Sequence, residues 1–220
     1  MPNFHDSSDK PISPIDYIGY TECMDEIKQR ISAIDFHLNV PINRADKANL
    51  ESLALNFRKV CELIMMACQA AHTHLIGKKV REWRIKNIKK LITRYNPDFY
   101  MVPVRATKTD IEDLTDIDAF TLDELKAAYR ASSGWLHARG PYGDSPDTKL
   151  ALAAFRDWRV KIVRLLNSHR VKIDGGTFLY CSMNAGGTGK THVAIFVRAA
   201  DVVNADIIRR IEESEPPPLA

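Results

Sequence analysis

The run from about Arg44 to Leu75 constrains this chain most. Phe57, Val60, Cys61, Ile64, Met65, Cys68, Ala71 and Leu75 recur there at helical spacing. So wide an apolar stripe predicts a long helix needing an apolar partner surface, and Gly77 ends it. Four more helices follow from capping and periodicity. Ser13-Pro14 opens the first, with Ile18, Ile27, Ile31, Ile34 and Leu38 apolar, and Pro41 breaks it. A third covers about Val80 to Tyr95 and stops at Asn96-Pro97. Thr121-Leu122-Asp123-Glu124 is a capping box that opens another, which ends before Gly140. Ser145-Pro146-Asp147 starts the last, with Leu150, Ala154, Trp158, Ile162 and Leu165 on one face.

Roughly 25 residues after Pro97 lack sustained periodicity, an unusual length for a loop inside a domain and often a functional one. The character changes near Lys172. Phe178–Met183 and His192–Val197 are β-prone and flank the glycine-rich 184–190, which predicts a hairpin with a flexible loop. The expected organisation is a disordered 1–13, a helical domain over 14–170, a hairpin and short helix over 171–213, and a mobile tail over 214–220. The fold class is mainly α with a C-terminal β-hairpin.

The 220 residues are 45% hydrophobic and 27% charged, ordinary for a soluble domain. A net charge of +3 implies no partner by itself. No apolar run reaches the length of a membrane span, and the N-terminal residues lack the pattern of a secretory signal, so a cytoplasmic protein without a membrane partner is expected. Cys23, Cys61, Cys68 and Cys181 show no Cys-x-x-Cys pairing and fit reduced thiols. His72 and His74, two apart on a helix, diverge. Neither a metal nor another cofactor is expected.

Arg130 and His137 are the candidate chemistry. Seven residues is two helical turns, which sets both side chains on one face about 10 Å apart along the axis. A histidine can take a proton from a ribose 2′-hydroxyl or give one to the leaving oxygen. The arginine would hold the scissile phosphate and stabilise its growing charge. The alternative is a chance spacing, with a histidine that merely favours the helix dipole.

An arginine followed at this spacing by a histidine in a helical bundle resembles the HEPN superfamily. Tyr129-Arg130 through Trp135-Leu136-His137-Ala138-Arg139-Gly140-Pro141-Tyr142-Gly143 carries the likeness, as does Phe57-Arg58-Lys59-Val60-Cys61-Glu62-Leu63-Ile64. The resemblance covers about residues 14 to 170. It implies a HEPN-like helical bundle, usually homodimeric, whose active members are metal-independent endoribonucleases of toxin–antitoxin, phage-defence and RNA-processing systems. Partners would be RNA or a nucleotide, together with an antitoxin or other defence-system protein. Arg130 and His137 would be catalytic, and Tyr129 and Arg139 secondary contacts. Ala131 stands where active members carry Asn, Asp or His. The alternative is therefore a non-catalytic nucleotide-binding or protein-interaction module.

Other residues bear on binding. Arg58 and Glu62, four apart, either assist a phosphate site or form an intrahelical ion pair worth a few tenths of a kcal/mol. Lys78, Lys79, Arg81, Arg84, Lys86, Lys89, Lys90 and Arg94 make the third helix a candidate phosphate-tracking surface, or simply the solvated side of an amphipathic helix. Arg156, Arg159, Lys161 and Arg164 on the fifth helix would extend it into a groove. The acidic stretch from Asp110 to Glu124 would shield that surface or remain solvated. Residues 184–191 are not a phosphate-binding loop: Asn184 stands where the motif needs its first glycine, and a strand follows instead of a helix. Gly134 weakens the motif helix unless it permits close packing against a second one.

Overall fold

Asp16 starts the first helix, α1 (Tyr17–Leu38), by accepting the Gly19 N–H on its carboxylate at 2.9 Å. The structure is a computed structural model and describes residues 15–41, 46–76, 82, 84–107, 110–136 and 147–197. The expected Ser13-Pro14 start and the helix over 205–213 lie outside them. Asp46 caps α2 (Lys47–Ala71) in the same way. The apolar stripe of α2 is buried as its spacing requires: Phe57, Val60, Cys61, Ile64, Met65, Cys68 and Ala71 are inaccessible to solvent. Its most extensive partners are α1 and the helix that opens at Leu122.

The helix breaks earlier than expected. His72 follows Ala71 as the C-cap, and a separate turn, α3 (Thr73–Ile76), contains Leu75. His72 and His74 therefore do not diverge along one helix; their rings lie 6.4 Å apart and nearly parallel. The basic helix, α4 (Ile85–Thr93), is shorter in its described part than the expected 80–95 and buries Ile85, Ile88 and Ile92.

The aperiodic stretch contains two short strands, β1 (Val102–Ala106) and β2 (Ile111–Asp113), paired antiparallel. Next comes α5 (Leu122–Leu136), opened by the expected capping box: Thr121 N–H donates to Glu124 Oε2 at 2.9 Å, and Glu124 N–H to Thr121 Oγ1 at 3.2 Å. Asp147 caps α6 (Thr148–Leu166), which buries Leu152, Phe155, Ile162, Leu165 and Leu166. Phe57 stacks on Phe155 at 4.9 Å, joining α2 to α6. Leu150, expected on the buried face of α6, is 70% exposed, and Ile18 of α1 is also exposed.

The chain ends its described part in β3 (Ser168–Lys172), β4 (Thr177–Ser182) and β5 (His192–Val197). The expected hairpin is β4–β5, and a 3-10 turn at Ala185–Gly187 lies in its loop. It belongs to a larger sheet. All five strands pair antiparallel in the order β2-β1-β3-β4-β5, with Val102 opposite Arg170 and Val171 opposite Leu179. One face packs on the helices through His169, Val171, Leu179 and Cys181, all fully buried. The described residues are thus mainly helical, with a five-stranded antiparallel sheet on the helical core.

Candidate functional site

Three faces of α5 have three different tasks. Leu125, Ala128 and Ser132 point into the core. Tyr129 and Ser133 meet α2. Lys126 and Arg130, four apart and so on one side, face outward. Arg130 is exposed, whereas the described helix ends at Leu136. His137 and Arg139 lie outside the described residues, so the two-turn geometry of the Arg130/His137 pair belongs to the proposal below.

On the outward side, Lys89 of α4 meets Lys126. Direct contact with Lys126, reinforced by its charge, pulls Lys89 below the ordinary lysine value. Asp123, 2.6 Å from the Lys126 ammonium, holds Lys126 above that value, while the charge of Arg130 acts against it. Lys89, Lys126 and Arg130 therefore gather three cations against one carboxylate on the α4–α5 face. Lys86 and Lys90 are exposed on α4 beside them. Arg84 occupies the N-cap position of α4, where its backbone N–H donates to Glu82 Oε1 at 2.8 Å. Lys126 was not singled out in the sequence, since only its meeting with Lys89 of α4 in the fold gives it significance.

Arg58 and Glu62 form the intrahelical pair, Nε to Oε1 at 3.2 Å, but Arg58 does more than pair. It donates to Tyr129 Oη at 3.1 Å and Ser133 Oγ at 3.2 Å, with its guanidinium carbon 4.9 Å from the Tyr129 ring centre. Glu62, only 6% exposed, also accepts from Lys59 at 2.9 Å. The structure brings Arg58, Glu62 and Tyr129 together as a clamp between α2 and α5. Gly134 is exposed, and a Cβ there would meet no described atom within 4 Å, so close packing against a described element is not its role.

The basic residues of α6 do not extend the cationic face. Arg159 forms a two-point pair with Asp35 at 2.7 Å, and Arg156 donates to the Leu38 carbonyl. Lys161 lies 2.6 Å from Glu124 and 3.1 Å from Asp118, and Arg164 donates to the Asp118 carbonyl. Asp113 pairs with Arg170 across β1 at 2.6 Å. Much of the acidic stretch thus neutralises neighbouring cations within the chain.

The four cysteines are buried free thiols. Burial pushes Cys23 and Cys181 up to about 12 and raises Cys61 and Cys68 as well, which makes them poor nucleophiles. Among the described residues no group of three or more His, Cys, Asp or Glu side chains could hold a metal ion, and no described helix is long and apolar enough to cross a membrane. What the arrangement offers chemically is an exposed cationic face able to bind phosphate oxygens. No family model, curated protein or solved structure matches the chain.

Proposed function

We propose that the protein is an RNA-binding, metal-independent endoribonuclease that docks the RNA backbone on the α4–α5 face. The observation that carries this reading is the gathering of Lys89, Lys126 and Arg130. Asp123 pairs with Lys126 at 2.6 Å, so the three cations leave an excess of two positive charges, which a phosphodiester would offset. Arg130 holds the scissile phosphate, and His137, one residue beyond the described end of α5, transfers the proton. Arg139 adds a phosphate contact. The helical part is read as a HEPN-like bundle acting as a homodimer in a toxin or phage-defence setting, with an antitoxin or defence-system protein as partner. Ala131 after Arg130 supports a second reading, a non-catalytic nucleotide- or protein-binding module on the same face.

The experiment compares wild type with His137→Ala and Arg130→Ala on total RNA and tRNA in EDTA, scoring 2′,3′-cyclic phosphate ends and measuring RNA affinity against salt. Cleavage by wild type, lost in His137→Ala with binding retained, is the expected result. Arg130→Ala should reduce the salt slope by about one. Salt-dependent binding without cleavage would select the non-catalytic module. Absence of both would overturn the RNA reading.

A further inference from the structure

Far from the α4–α5 face in sequence, the glycine-rich turn before β5 lines one side of an open cleft of about 320 Å³ between α1 and α6. That size is at the lower end of small-molecule sites, which run from about 300 to 1,000 Å³. The accessible lining is aliphatic, the half-buried Ile31, Val163 and Met183, over Ile27, Ile162 and Leu166, which are almost wholly buried beneath it. Among the described residues no aromatic ring lines the cleft, so these offer no stacking platform for a nucleobase.

The rim is polar and built by specific contacts. Lys28 Nζ donates to the Gly189 carbonyl at 2.8 Å and lies 3.0 Å from Asp25 Oδ1, two of the three bonds an ammonium can donate. Thr191 Oγ1 donates to the same Asp25 oxygen at 2.6 Å, fixing the start of β5 to α1. Asn184 Oδ1 accepts the Gly189 N–H at 2.7 Å, which leaves the donors of its amide for a ligand. Gly186, Gly187 and Gly189 have φ of 59°, 73° and 75°, a left-handed path that a side chain would strain and that sets Asn184 and Gly189 at the rim.

We infer that this cleft binds a small aliphatic molecule with an oxygen-acceptor head, of which a medium-chain carboxylate is the simplest form. The tail lies on the aliphatic lining, and the head accepts from Lys28 and Asn184.

The test is an NMR titration of the full chain, isoleucine and methionine methyl groups labelled, with octanoate and with octanamide. Saturable shifts at Ile31 and Met183 are expected with octanoate. Val163→Trp, which fills the cleft, should abolish them. Lys28→Met should weaken octanoate at least fivefold more than octanamide, whereas Thr191→Val, which loosens the same turn without touching the lining, should affect both alike. Octanamide binding as tightly as octanoate would overturn the carboxylate head. Absence of saturable methyl shifts with either compound would overturn the site. So would shifts that persist unchanged in a folded Val163→Trp. Should that variant fail to fold, equal loss of both compounds in Lys28→Met and Thr191→Val would overturn the assigned head contact.

Discussion

Two buried histidines join the helices to β3 as neutral rings. His169 donates from Nδ1 to the Leu166 carbonyl at 3.0 Å and accepts the Tyr20 hydroxyl on Nε2 at 2.5 Å. His72 donates from Nδ1 to the Cys68 carbonyl at 2.7 Å and accepts from Asn96 Nδ2 at 2.9 Å, while that amide also donates to the Lys172 carbonyl. Burial lowers both, His169 to about 4. A histidine depressed in the folded state takes up its proton on unfolding, so its contribution is complete above the unfolded value near 6.5 and is lost as pH falls. Between pH 6.5 and about 4 His169 alone should remove roughly 3 kcal/mol of stability. Urea denaturation at pH 7.5 and 4.5 checks this: wild type loses stability towards acid, and His169→Gln, weaker at pH 7.5, shows a flatter acid limb. A wild type equally stable at both values would refute the assignment. Neither ring was legible in the sequence, because their partners are fixed by folding: Tyr20 lies 149 residues from His169, and Asn96, which donates to His72, is itself held by the Lys172 carbonyl 76 residues on.

At the scale of elements, α2 and α5 are held by more than apolar contact. The existence of both helices was readable, since the α2 stripe and the Thr121/Glu124 capping box are local signals. Their clamp was not. Arg58 and Glu62 at four-residue spacing looked like one of many surface pairs, and only the approach of Tyr129, 71 residues away, turns Arg58 into a tie. Removing it leaves Glu62, buried, with Lys59 as its charged partner. Because the Arg58 side chain is 26% exposed, the penalty is below that of a fully buried pair, at about 2 kcal/mol. Arg58→Ala should therefore lower the urea midpoint while changing RNA affinity at fixed salt much less than Arg130→Ala does. Arg58→Lys should restore little, since an ammonium cannot reach Glu62, Tyr129 and Ser133 together as a guanidinium fork does. The opposite pattern, intact stability with lost affinity, would move Arg58 from the clamp to the binding face.

For the whole molecule, the sheet decides whether the helices can stand alone. Sequence periodicity located the β4–β5 hairpin but set it apart from a helical domain ending at 170. It missed β1 and β2 because strands of five and three residues, one with Pro103 and the other mostly acidic, are too short to show alternation. It passed over β3 because only His169 and Val171 of Ser168–Lys172 face inward. The sheet is the wall of the helical core: Leu179 and Cys181 of β4 are fully buried, and Val171 and Ile173 join the same cluster as Ile27 and Phe57. Cutting the chain after Ile173 would remove β4 and β5, uncover that cluster and leave β3 paired only with β1. Each core side chain left uncovered costs about 1.5–3 kcal/mol, against a total stability of about 5–15 kcal/mol. A 1–173 truncation should thus lose cooperative thermal unfolding and bind hydrophobic dyes. Full-length Phe178→Ala/Phe196→Ala, which breaks the 5.3 Å stack on the hairpin and the edge contact of Phe196 with Tyr180, should unfold cooperatively at a lower temperature. A truncated chain that melts in one sharp transition would show instead that the helices hold their own core, with the hairpin an appendage.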